Sequence, residues 1–275
     1  MSPVELRAPA RFLRSELGMV FGRRRNAVLL SVLGLVPVLI CVSVRASGRS
    51  GRGSTIFGGI TENGLFAALA ALLVAGPLFL PLVVAVVAGD AVAGEAHSGT
   101  LRYLLSVPVG RTRLLAVKFA AAAAWCVACV AVVAVLGVLA GLVLFPSGEL
   151  TLLSGRAVSY TDGLGRLALV SAYVAASLLM VAALGLFVST MTEVPIAAIA
   201  ATLTLTIASQ VADAVPQLAV IQGWLPTHRW LRWVDLLRDP VATDGMAAGL
   251  LVTLGYVALF VSLAWARFGG KDVTS

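Results

Sequence analysis

The feature that most limits what this chain can become is a series of long apolar runs free of Asp, Glu, Lys, Arg and His. They cover about residues 26–44, 65–89, 119–145, 167–191, 195–212 and 246–266. The hydrocarbon core of a bilayer is about 30 Å thick, so a helix rising 1.5 Å per residue needs roughly 18 or more apolar residues to cross it. Each run reaches that length. A lipid-exposed segment must also satisfy its own backbone hydrogen bonds, and a helix does so within one segment. The expected fold is an all-α membrane protein, a bundle of six transmembrane helices in a single unit over 1–275. Composition agrees: 60% of residues are hydrophobic and 12% charged, against about half and a quarter in soluble domains.

A net charge of +7 can signal a nucleic-acid partner. Here the basic residues cluster at the ends of the apolar runs, where they meet anionic lipid and obey the positive-inside rule. Six spans put both chain ends on one side. With those ends inside, 12 of the 20 basic residues are cytoplasmic and 8 external. Arg45, Arg49 and Arg52 oppose that bias, and the N-terminal basic cluster outweighs them. The expected location is a bacterial plasma membrane, multi-pass, with both termini cytoplasmic.

Residues 1–25 are polar and basic. Pro9 suits the first turn of a helix, where its missing N–H is not needed. Leu13, Leu17, Val20 and Phe21 then share one face, while Arg11, Arg14 and Ser15 lie elsewhere, which describes an amphipathic helix on the membrane surface. Arg23, Arg24 and Arg25 mark the cytoplasmic edge. The run at 26–44 exceeds the ~7–15-residue core of a secretory signal and reads as a retained span. Between the fourth and fifth runs, Thr192 can cap the next helix and Pro195 fits its first turn. The stretch 213–245 carries Trp224, Trp230 and Trp233 and reads as short interfacial or re-entrant helices on the external side.

Chemistry is sparse. There is no His-Glu-x-x-His or Gly-x-Ser-x-Gly, and His97 and His228 fall in polar segments on opposite sides of the membrane. The tail sequence Gly269-Gly270-Lys271-Asp272 lacks the spacing of a phosphate-cradling loop and the hydroxyl that would hold magnesium. No catalytic residue and no metal site is expected. Cys41, Cys126 and Cys129 read as small residues within spans. Gly137-x-x-x-Gly141 offers a close helix approach, within the chain or in a dimer. Thr202, Thr206 and Ser209 align at helical spacing. They are candidate pathway-lining residues; equally, each hydroxyl can bond its own helix or a neighbour. Ion-coupled transporters and proton pumps keep an ionisable group near mid-membrane, and the six runs hold none.

The segment 89–119 is the most specific. Asp90 to His97 continues the second helix out of the membrane, Gly99 breaks it, and Thr100 can cap a short helix. Leu101, Leu104 and Leu105 share one face at i, i+3, i+4. Pro108 and Gly110 end that helix, and Arg111 or Thr112 begins the third span. A membrane-surface helix explains the leucines. It does not explain Asp90 and Glu95 beside an anionic leaflet, or the sequence of break, helix and break.

Here the chain resembles the permease subunits of ABC-2 type transporters, whose first cytoplasmic loop runs Glu, Gly-Thr-Leu, a Leu-rich turn, Pro, Arg, Lys. This sequence has Glu95, Gly99-Thr100-Leu101, Leu104-Leu105, Pro108, Arg111 and Lys118 in that order. The six spans, the basic amphipathic N-terminal helix, the long external segment before the last span and the basic tail 267–275 fit as well. The resemblance implies a cytoplasmic coupling helix that seats in a groove of a separate ATPase. It also implies two permease copies with two ATPase copies, and export driven by ATP and magnesium bound on the partner. This chain would hold no cofactor of its own. An ATP-independent secondary transporter or channel and a non-transporting assembly factor are the alternatives.

Overall fold

A computed structural model describes the backbone of residues 3–47, 59–61, 63–99 and 110–269, and side chains from residue 11 onward within that range. Helix dominates it, and six helices are long and apolar enough to cross a bilayer. An N-terminal helix, α1 (Pro3–Gly22), precedes the first span, α2 (Arg24–Ser47). The second apolar run forms two helices, α3 (Leu65–Ala75) and α4 (Phe79–His97). The remaining spans are α5 (Arg111–Leu144), α6 (Tyr160–Met191), α7 (Pro195–Ala214) and, after a short helix α8 (Ala219–Gln222) and a 3₁₀ segment (Trp230–Leu237), α9 (Asp244–Gly269).

Two of these differ from the sequence reading. The helix α1 begins at Pro3 rather than Pro9, so Pro9 sits within it. The second run is broken at Gly76–Leu78, where one continuous span was expected. A Pro at 77 donates no backbone hydrogen bond, and the Pro77 carbonyl is taken up by the Gln210 side chain at 2.7 Å. The third span is longer than the apolar run: 34 residues, roughly 50 Å of helix against a ~30 Å core. The helix α6 likewise starts ahead of its run, at Tyr160. Pro195 occupies the first turn of α7, and Thr192 Oγ1 accepts from Val194 N–H at the break before it.

The bundle is knitted by α5 and α6. The helix α5 packs against α2, α3 and α6, while α6 also carries α4 on one side and α9 on another. Small residues set the closest approach. A Cβ on Gly137 would meet the backbone of Ala68, and one on Gly141 the backbone of Gly64. The Gly137-x-x-x-Gly141 pattern is therefore spent inside the chain, on the contact between α5 and the start of α3, which answers the alternative of a dimer motif at these two positions. Trp125 of α5 is fully buried and donates its indole N–H to the Val83 carbonyl at 3.1 Å. Its ring also meets Phe21 of α1 at 5.3 Å between centroids.

The two ends of the bundle are built differently. At one end, Phe12 of α1 and Phe268 of α9 join a small apolar cluster with Val92, Leu114, Leu115 and Leu186. The N-terminal helix and the end of the last span thus share a face. At the distal end, a two-stranded antiparallel hairpin, β1 (Leu150–Thr151) and β2 (Ala157–Val158), pairs Leu150 with Val158. It is tied to the 3₁₀ segment: Leu153 N–H donates to the Leu237 carbonyl at 2.9 Å, and Arg166 donates to the carbonyls of Leu236 and Arg238.

Candidate functional site

The residues singled out between 95 and 118 fall at the stems of one loop. Thr100, Leu101, Leu104, Leu105 and Pro108 lie outside the described residues. Gly99 is described, and it ends α4 as expected: Ser98 caps the helix, and Gly99 follows with φ +72°. That left-handed conformation is cheap only for a residue without Cβ, and it turns the chain off the helix axis. The other stem starts at Arg111, the first residue of α5. The Arg111 guanidinium donates to the Gly269 carbonyl at 2.8 Å, at the end of α9. A cation at a helix C-terminus meets unpaired carbonyls and the negative end of the dipole.

Between the stems lies an ionic node. Lys118, about two turns further along α5, is buried with its ammonium 2.5 Å from Glu95 Oε1 and 2.9 Å from Glu16 Oε1. Asp90, about one and a half turns before Glu95 on α4, takes Arg23 and Arg25, the latter at 2.9 Å. Three carboxylates thus face three cations, and all six line one small cleft of about 30 Å³. Buried charges are tolerated only when paired in this way, since desolvating each ion costs several kcal/mol. The node joins α1, α2, α4 and α5 at the base of the 99–110 segment.

Glu16 and the Asp90 partnership were missed in the sequence, although signals existed. Glu16 sits three residues after Leu13 and four before Val20, so helical spacing puts it on the apolar face of α1. Asp90 and Glu95 stood unexplained next to an anionic leaflet. Their cations are on other helices, which no local pattern reveals.

The second candidate group is bonded within the fold. Thr202 donates to the Ala198 carbonyl at 2.7 Å and Thr206 to the Thr202 carbonyl at 2.8 Å. Ser209 shares a hydrogen bond with Thr227 at 2.8 Å. All three are buried. Thr206 and Ser209 also border a broad apolar groove of about 770 Å³ between α6, α7 and α9. Cys41, Cys126 and Cys129 are buried thiols, and the described residues contain no cluster of three or more metal-type ligands.

One charged pair lies just beyond the charge-free run 195–212. Asp213 lies in the last turn of α7 and pairs with His228 Nδ1 at 2.5 Å. Both border a cavity whose other wall is Val174, Ser177 and Leu178, the middle of the 32-residue α6. Tyr173 of α6 donates to the Arg229 carbonyl at 2.7 Å. The 213–230 stretch therefore packs against the middle of α6.

Known proteins bear on these features. Over 131 residues, 48% of this chain, the sequence is 30% identical to a protein of Pseudomonas aeruginosa described as "Probable ABC transporter permease protein NosY". The match spans 46% of that relative, so the chain covers about half the length of the curated protein it resembles. A second similarity is broader: the family described as "Protein of unknown function (DUF2705)" matches residues 54–274, from before the second apolar run to the end of the tail. A match over most of the chain shows membership, and this six-span protein belongs to the DUF2705 family.

Proposed function

We propose that this chain is the membrane-spanning permease subunit of an ATP-binding cassette transporter of the ABC-2 type. It works as an exporter in a bacterial plasma membrane, with both termini cytoplasmic. A second permease copy completes a homodimer, and two copies of a separate ATPase bind ATP and magnesium. The observation that carries this reading is the clamp at the loop stems: Glu95 and Lys118 join α4 to α5 across the 99–110 segment, and the partial similarity to a permease supports it. Loop stems held by a buried ion pair and by Arg111 transmit a push on the loop into two spans instead of absorbing it. Leu101, Leu104 and Leu105 then fill the ATPase groove as helix-in-groove anchors do.

The test is copurification. Leu104→Asp places an unpaired charge in an apolar groove, and should weaken ATPase binding at least ~100-fold while leaving membrane insertion intact. Normal ATPase recovery and normal transport in that variant would overturn the coupling assignment.

A second reading, an ATP-independent secondary transporter, draws on the Asp213–His228 pair beside α6, since such groups mark ion pathways in many transporters. It predicts uptake or efflux driven by an ion gradient and indifferent to ATP.

A further inference from the structure

The cavity beside Asp213 has no part in the coupling machinery, and its chemistry is one-sided. Its volume is about 180 Å³, close to the ~150 Å³ of an apolar cavity that holds one benzene. Leu72, Val174, Leu178 and Leu231 supply apolar wall, and Trp230 and Trp233 supply aromatic wall. Gly76 and Pro77, at the break between α3 and α4, also line it. Discontinuous spans beside a polar pocket are a recurrent way to hold a ligand at membrane depth.

The polar side chains of this pocket are hydrogen-bonded to the fold. Gln210 Nε2 donates to the Pro77 carbonyl, Ser177 to the Tyr173 carbonyl, and Ser209 and Thr227 share one hydrogen bond. The Trp230 indole N–H is buried without a partner. Acceptors remain. Among the described residues, Gln210 Oε1 and the second carboxylate oxygen of Asp213 have no partner. Asp213 and His228 are the titratable lining groups. Asp213 brings a carboxylate to the pocket wall, and one of its oxygens meets His228 Nδ1. An acceptor-rich anionic pocket with Trp in its wall selects a cationic N–H donor.

We propose that this cavity binds a small organic amine in its ammonium form, with an apolar body about the size of one aromatic ring. The ammonium takes Asp213 and Gln210, and the body fills the space between Val174, Leu178 and the two Trp rings. The assignment rests on the transport reading only in calling the amine a substrate; the binding site stands without it.

The experiment uses the purified full-length chain in lipid nanodiscs, without ATPase, and labelled 2-phenylethylamine, with partitioning into empty discs subtracted. The neutral isostere 2-phenylethanol is the control. Expected are saturable amine binding at least tenfold tighter than alcohol binding, a loss of at least tenfold in amine affinity for Asp213→Asn, and little change in alcohol affinity for that variant. Val174→Phe, which fills the cavity, should remove both. Absence of saturable amine binding, or full amine affinity in folded Asp213→Asn, overturns the proposal. If Asp213→Asn fails to fold, undiminished binding in Val174→Phe overturns it instead. Lost ATPase copurification would sink the permease reading and leave this site intact, whereas lost amine binding with the ATPase still bound would sink the site alone.

Discussion

The Lys118 ammonium lies 2.5 Å from Glu95 Oε1, and this single contact spans the loop between α4 and α5. Lys118 is 1% exposed at its side chain, and Glu16 approaches it from α1. Lys118→Met removes the buried cation between two carboxylates, so the protein should lose roughly 3–5 kcal/mol of stability. A thermal melt in detergent, compared with the parent, measures it. Glu95→Gln removes charge but keeps shape: ATPase should still copurify, while transport per ATP falls.

Asp90 and its arginines should behave differently. Arg23 and Arg25 are nearly half exposed, so screening limits what the pair contributes to stability to about 1 kcal/mol or less. Its effect is local, at the junction between α1 and α2. Asp90→Asn should leave the melt almost unchanged and speed trypsin cleavage at Arg23–Arg25. Equal cleavage rates in variant and parent would show that Asp90 does not hold the junction.

The glycine contact concerns the fold, not assembly. Gly141 meets the Gly64 backbone, which cannot yield as a flexible side chain can. Gly141→Val should therefore lower the yield of folded protein by forcing α5 away from α3. Cross-linking of whatever folds should show the parental oligomeric state. A folded variant with changed oligomeric state would place Gly141 at an intermolecular interface.

The hydroxyl row separates into two kinds. Thr206 bonds its own helix, so Thr206→Val should cost about 1 kcal/mol or less and leave transport unaltered. Ser209 bonds Thr227 across to the 213–230 stretch, and Ser209→Val should loosen that stretch, read as faster hydrogen exchange over 219–230. A transport defect in Thr206→Val with normal stability would favour the pathway-lining role for the row.

Same-face termini follow from Phe12 and Phe268 sharing one cluster. Cysteines placed at Ser2 and Ser275 should both resist an impermeant thiol reagent added outside intact cells. Opposite labelling would remove one crossing from the bundle.

How much of this the sequence carried depended on range. Run length against bilayer thickness determined the six spans, because hydrocarbon imposes the same requirement on every segment independently of its neighbours. Local signals also sufficed for the Gly99 stop, the Arg111 start and Pro195 in its first turn, since caps act within a few residues. The tertiary structure alone decided four things. Pro77 breaks its run while Pro37 sits inside an unbroken α2, and the difference includes a partner for the Pro77 carbonyl on α7. Gly137 and Gly141 face α3 rather than another chain. Glu16, Glu95 and Lys118 meet from three helices. Asp213 and His228 border one cavity because the chain after α7 packs against α6. Each of these depends on which helices are neighbours. A one-dimensional pattern states which face of a helix is apolar, but charge pairing and close backbone approach are properties of two faces brought together.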